Sequence, residues 1–120
     1  MTRDLIGEEL AAWGKVLLVE TRGRVTGRLT ATPVGFVEDP DGAWRVAAGD
    51  PEADWALNLR ADPRCRVTVG GSEVDAVAEE LDGRSHAATV RDLILKYGTP
   101  AERLGVGPAF RLRPMPIVRP

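Results

Sequence analysis

The stretch RLTATPVGFV, residues 28–37, limits the possible folds of this chain more than any other. Its threonines, valines and phenylalanine suit a β-strand. Pro33 has no N–H to give to a ladder, and Gly35 has no side chain to pack. A strand carrying both sits at the edge of its sheet or is bulged. Its hairpin partner is KVLLVET, 15–21, rich in the β-branched and aliphatic residues of a buried strand. Between them RGRVTG supplies Gly23 and Gly27 to turn the chain back.

The same alternation of strand and turn continues. EDPDG (38–42) is a turn and AWRVAAG (43–49) a third strand. DPEADWALNLRADP (50–63) changes period and predicts a short helix through Trp55, Ala56, Leu57 and Leu59. Pro63 ends it, because Asp62 is pushed out of the helical region. RCRVTV (64–69), Gly70-Gly71 and EVDAVAEEL (73–81) form a second hairpin, with Val74, Ala76 and Ala78 alternating against Asp75 and Glu79.

Helices flank this set. Ile6, Leu10 and Trp13 predict one over 3–13, capped by Thr2 and stopped at Gly14. Val90, Leu93, Ile94 and Tyr97 predict another over 83–97, with Gly98 just past its end. The tail AFRLRPMPIVRP is one more strand, interrupted by Pro114 and Pro116. This order predicts an α+β, mainly β domain over 1–120: a small antiparallel barrel or sheet with flanking helices.

Charge and composition exclude several functions. A formal net charge of −2 argues against a general nucleic-acid binder. No apolar run has the length of a membrane span, and the acidic start MTRDLIGEELAAW does not read as a signal peptide. The single Cys65 has no partner for an internal disulfide, which makes a reducing cytoplasm the simplest setting. Cys65 sits between Arg64 and Arg66, a setting that can lower a thiol pKa. One histidine, His86, and no CxxC or HExxH leave no metal motif.

Three stretches are candidates for binding. Arg22, Arg24 and Arg28 crowd around Gly23 and Gly27. Guanidinium forks match phosphate and carboxylate oxygens, and glycine lets backbone N–H groups approach an anion. From the residues alone this is a charged, solvated turn or an anion cradle. Thr32, Pro33 and Val34 form either an ordinary edge strand or a bulged one with free N–H groups for the edge of a flavin-type ring. Trp55 and Asn58 share a helix face, where Trp55 fills a core or walls a pocket and Asn58 ties down a loop.

Two of these stretches carry a family likeness. Thr21, Gly23, Arg24, Thr26, Gly27 and Pro33 match T-T-G-R-K-[ST]-G-x-P-R-x-x-P, with Arg22 in place of a threonine. Trp55 to Pro63, WALNLRADP, matches W-x-x-N-L-x-A-[ND]-P. With the valine-rich hairpin that follows and the terminal PIVRP (116–120), the chain resembles the deazaflavin (F420)-dependent nitroreductase family of split-β-barrel flavin and deazaflavin oxidoreductases.

That resemblance implies a split barrel of about six antiparallel strands. It implies a reductase, monomeric or homodimeric, that uses reduced coenzyme F420 to pass hydride to a small quinone, enone or nitro compound. Arg22, Arg24, Thr26, Gly27 and Arg28 would hold the phosphate and acidic tail. Thr32, Pro33 and Val34 would meet the ring; Ala47, Ala48 and Gly49 would approach the phosphate; Trp55 and Asn58 would complete the pocket. No catalytic acid or base is identified. The pattern's lysine is Val25 here, its first proline Leu29 and its second arginine Thr30, and GDPE (49–52) follows the third strand. A cofactor-free small-molecule-binding or biosynthetic enzyme of the same fold and an FMN-binding relative are the alternatives.

Overall fold

The computed structural model describes residues 9, 11, 13–98 and 104–115. The helix expected over 3–13 and the terminal PIVRP lie largely or wholly outside them. Within them the chain forms β1 (Leu17–Arg22), β2 (Leu29–Val34), β3 (Val37–Glu38), β4 (Trp44–Ala47), α1 (Asp54–Ala61), β5 (Arg64–Val69), β6 (Ser72–Leu81), α2 (Gly83–Tyr97) and β7 (Ala109–Pro114). The two described helices lie within the stretches expected to be helical, 50–63 and 83–97. α1 stops as Pro63 requires: Asp62 is extended, with φ −143°.

All seven strands join one antiparallel sheet in the order β2-β1-β5-β6-β7-β4-β3. Its two edges, β2 and β3, are consecutive in the chain, separated only by Gly35 and Phe36. A flat seven-stranded sheet is about 29 Å wide, whereas the link from Val34 to Val37 reaches at most about 11 Å. The sheet therefore curls until its edges meet, which makes a split barrel. The single strand expected over 28–37 serves both edges, so six stretches of sequence give seven strands. No bulge is needed at Pro33: β2 pairs with β1 residue for residue, from Leu17↔Val34 to Arg22↔Leu29.

Strand alternation divides the side chains between two layers. Leu17, Val19, Val46, Val67, Ala76, Phe110 and Leu112 point into the barrel, where Trp55, Ala56 and Leu59 of α1 join them. Trp55 meets Phe110 at 5.9 Å between ring centres, tilted 58°. On the outside, Ala47, Leu81 and Ala109 lie under Leu93, Ile94 and Tyr97 of α2. Beside them Arg45 ties the sheet to the helix, donating to Asp39 (2.8 Å), Asp92 (2.7 Å) and Thr89 (3.2 Å).

The end of α2 fastens the crossing between the two edges. The Tyr97 hydroxyl accepts the Phe36 N–H at 3.0 Å and lies 2.7 Å from the Lys15 carbonyl, to which it donates. Lys96 donates to the Phe36 carbonyl at 2.6 Å and lies 3.7 Å over the Phe36 ring. A Cβ on Gly35 would stand 3.1 Å from the Tyr97 ring, so the glycine admits the tyrosine.

Candidate functional site

The β1–β2 hairpin is built by its own backbone. Pairing ends at Arg22↔Leu29. The Gly23 N–H donates to the Arg28 carbonyl at 2.7 Å, and the Gly27 N–H to the Gly23 carbonyl at 2.8 Å. Gly27 has φ +75°, which strains any other residue. The Thr26 hydroxyl accepts the Arg28 N–H at 3.2 Å and fills the space a Gly23 side chain would need.

This geometry sends the three arginines in different directions. Arg22 follows strand alternation to the outer face. There its Nη1 donates to the Gly27 carbonyl at 3.1 Å, beside a cavity of about 260 Å³ shared with Glu20, Leu29, Arg64 and Arg66. Arg28 is exposed, with no side-chain hydrogen bond among the described residues. Only Arg24 turns toward α1.

Asn58 receives it. Asn58 is buried, and its Oδ1 accepts both the Arg24 backbone N–H (3.1 Å) and Nη1 (2.8 Å). Its Nδ2 donates to the buried Thr21 hydroxyl at 3.1 Å. Asp54, the first residue of α1, adds its carboxylate to Arg24 Nη2 at 3.2 Å and its carbonyl to Nη1 at 3.4 Å. The hairpin motif and the WALN motif thus meet at a single amide, which gives a physical reason for the two to occur together. Asn58 ties down the loop as its spacing suggested. Thr21 and Asp54 were not legible as its partners, because the helix–hairpin contact is long-range.

Beside this junction lies a cavity of about 230 Å³ lined by Gly23, Arg24, Val25, Thr26, Thr30, Asp54 and Asn58. Two of the residues that depart from the family pattern, Val25 and Thr30, line it. Among the described residues, Arg24 is its one lining cation and Asp54 its one lining anion. The guanidinium is only partly spent: among the described residues its Nε–H has no partner, and Nη2 has Asp54 alone. That edge of the fork suits two oxygens of a phosphate or carboxylate.

The other expected site residues lie elsewhere around the barrel. Thr32 and Val34 pair with Val19 and Leu17 on the inner face of β2, while Pro33 pairs with Leu18 on the outer. Trp55 is buried in the core. Ala47 and Ala48 are also buried, and the Ala48 N–H is taken by the Pro108 carbonyl at 2.9 Å. A Cβ on Gly49 would lie 3.7 Å from the Leu104 side chain. The structure does not bring 47–49 to the hairpin cavity; the 104–108 segment covers them instead.

Cys65 differs from its expectation for a simple reason. Alternation turns Arg64 and Arg66 outward and Cys65 inward, where Sγ contacts the Ala76 carbonyl at 3.6 Å. Burial, with smaller contributions from Asp75 and Asp62, pushes the thiol up to about 12. At pH 8 its thiolate fraction is about 10⁻⁴. A thiol reagent such as dithionitrobenzoate should leave the native protein unlabelled over minutes and label it once in denaturant. Rapid native labelling would contradict this burial.

Comparison with known proteins places this geometry in context. A family model described as F420H(2)-dependent quinone reductase matches residues 1–102. Among solved structures, an F420-H2 dependent reductase (FDR-A) is 26% identical, with TM-score 0.70, and the alignment covers 82% of this chain and 94% of that one. The haem storage protein HutZ from Vibrio cholerae is 20% identical, with TM-score 0.70, over 97% of this chain and 92% of its own. A structure described as a domain-swapped dimer is 24% identical, with TM-score 0.69, over 88% and 92%. The latter two likenesses are likenesses of fold. No curated protein matches the sequence.

Proposed function

The chain belongs to the F420H(2)-dependent quinone reductase family, and on that premise we propose that it reduces a small organic acceptor with reduced coenzyme F420. The acceptor class is a quinone, with enones and nitro compounds as further candidates. The single observation that carries the proposal is the half-open Arg24 fork, fixed by Asn58 over the hairpin cavity.

The cavity suits an anionic end group rather than a whole coenzyme. Its one cation is pre-oriented, so little side-chain entropy is lost when an anion docks. Arg24 would hold the coenzyme's phosphate, with Thr26 at the same rim and the exposed Arg28 attracting the acidic tail. Thr32, Pro33 and Val34, on the free edge of β2, would meet the ring. When bound, the reduced coenzyme supplies two electrons as a hydride. The chain's task is then to hold the partners in register and exclude water from the ring face. Reduction of the acceptor also consumes a proton. The Tyr97 hydroxyl is engaged with Lys15 and Phe36, so we assign that proton to water.

The departures at Val25 and Thr30 favour a second ligand for comparison. With one cation lining the cavity among the described residues, FMN, which carries a single phosphate, makes a smaller demand on positive charge. Anaerobic mixing of the protein with reduced F420 and a simple quinone tests the proposal. We expect protein-dependent oxidation of one coenzyme per quinone reduced. Turnover with reduced FMN alone would move the function to the second ligand, and turnover with neither would overturn the proposal.

A further inference from the structure

Asp54 is an unusual neighbour for an arginine proposed to bind an anion. Its side chain is 87% exposed, yet its carboxylate occupies Nη2 of Arg24. The rest of the guanidinium is anchored differently. Asn58 is buried and takes Nη1 at 2.8 Å together with the Arg24 N–H at 3.1 Å, whereas the Asp54 carboxylate sits at 3.2 Å. Arg24 therefore has a fixed half, held by the amide, and an exchangeable half, occupied by a solvated carboxylate.

The exchangeable half is the one a ligand needs. Nε–H has no partner among the described residues, and Nη2 on the same edge has only Asp54. A phosphate or carboxylate binding that edge with two oxygens must share or displace the Asp54 carboxylate. The two negative charges would then stand within a few ångströms of each other in a cavity whose one lining cation among the described residues is Arg24. Exposed ion pairs of this kind are weak enough to exchange.

We propose that Asp54 is a built-in counter-ion that competes with the coenzyme's anionic group for the Arg24 fork and so sets how tightly the coenzyme is held. This rests on the function proposed above, and it adds a residue that lowers affinity to those that raise it. Asp54 holds the guanidinium in place when no ligand is bound. It limits tight binding to ligands with enough negative charge, or a good enough bidentate geometry, to displace it.

Titration of the wild-type protein, Asp54→Asn and Asp54→Ser with oxidised F420, followed by coenzyme fluorescence, tests this. Serine is included because it is well tolerated at a helix start should asparagine disturb folding. Both variants should bind about three- to ten-fold more tightly at low salt. The gain should shrink toward nothing near 0.5 M salt, at roughly which screening removes exposed pair interactions. Equal or weaker binding by both variants, with the wild type binding normally, overturns the counter-ion role and leaves the proposed function standing. A gain that persists unchanged at high salt also overturns it, since a packing effect would behave so. No binding by any of the three proteins overturns the proposed function, and this inference with it.

Discussion

Gly107→Ala is expected to cost about 3 kcal/mol of folding stability and to lower the thermal midpoint by about 10 °C. A Cβ at this position would run into the Ala48 carbonyl oxygen and stand 2.8 Å from its carbon and 2.9 Å from the Asp50 oxygen. All three are backbone atoms, so no rotamer change relieves the clash. The chain must move apart where β4 leaves the sheet. That movement pulls on the Ala48 N–H to Pro108 bond at 2.9 Å and on the neighbouring Ala47↔Ala109 pair. The Gly107 carbonyl also faces His86 Nε2 at 2.8 Å, a contact that makes the N–H tautomer at Nε2 the donor. Urea and thermal unfolding measure the effect; a loss under about 1 kcal/mol would mean that the 104–108 segment packs loosely enough over 48–50 to admit a methyl group.

Asn58→Leu is expected to destabilise by about 2–4 kcal/mol. Leucine fills similar space but removes an acceptor of two hydrogen bonds and a donor of one. Thr21 is 1% exposed and would lose its amide partner in the core. Arg24 would keep only Asp54 and could not hold its fork over the cavity. Coenzyme affinity should therefore fall at least about tenfold in the fraction that remains folded. Asn58→Asp separates the two consequences. It keeps the acceptor for Arg24 and can accept from the Thr21 hydroxyl, so it should recover most of both losses. Equal damage from leucine and aspartate would mean that Asn58 acts mainly through its Nδ2 donor to Thr21 and not through Arg24.

Most of the fold was legible because it rests on local signals. Pro33 and Gly35 mark an edge, Pro63 ends α1, and Gly70-Gly71 makes the β5–β6 turn. What stayed hidden depends on distant contacts. That the strand at 28–37 lies on both edges follows only from the pairing of β3 with β4 and β4 with β7. The buried stripe of α2 includes Thr89, at 0% exposure, which the apolar spacing passed over. Thr89 is buried because its hydroxyl is satisfied, donating to the Ser85 carbonyl at 2.8 Å and accepting from Arg45 at 3.2 Å.

The candidate site divides in the same way. Composition marked the hairpin as basic, but three arginines in one turn do not make one cradle. Strand alternation takes Arg22 outside, the turn leaves Arg28 in solvent, and Asn58 selects Arg24. Alternation also reversed the expectation for Cys65, since arginines on either side in a strand lie on the opposite face from the thiol. Asp54 carried no signal of its own: an acidic residue in the first turn of a helix is ordinary, and its importance comes from what the hairpin brings to it.

Arg24, held by Asn58, is the proposed anion anchor of a coenzyme F420 site. Equilibrium titration of oxidised F420 into the wild-type protein, Arg24→Ala and Arg24→Lys tests it most directly. The wild type should bind saturably, Arg24→Ala at least about tenfold more weakly, and Arg24→Lys nearly as weakly as alanine, because an ammonium cannot replace the fork. Wild-type binding that Arg24→Ala leaves unchanged would mean that Arg24 anchors no part of the coenzyme.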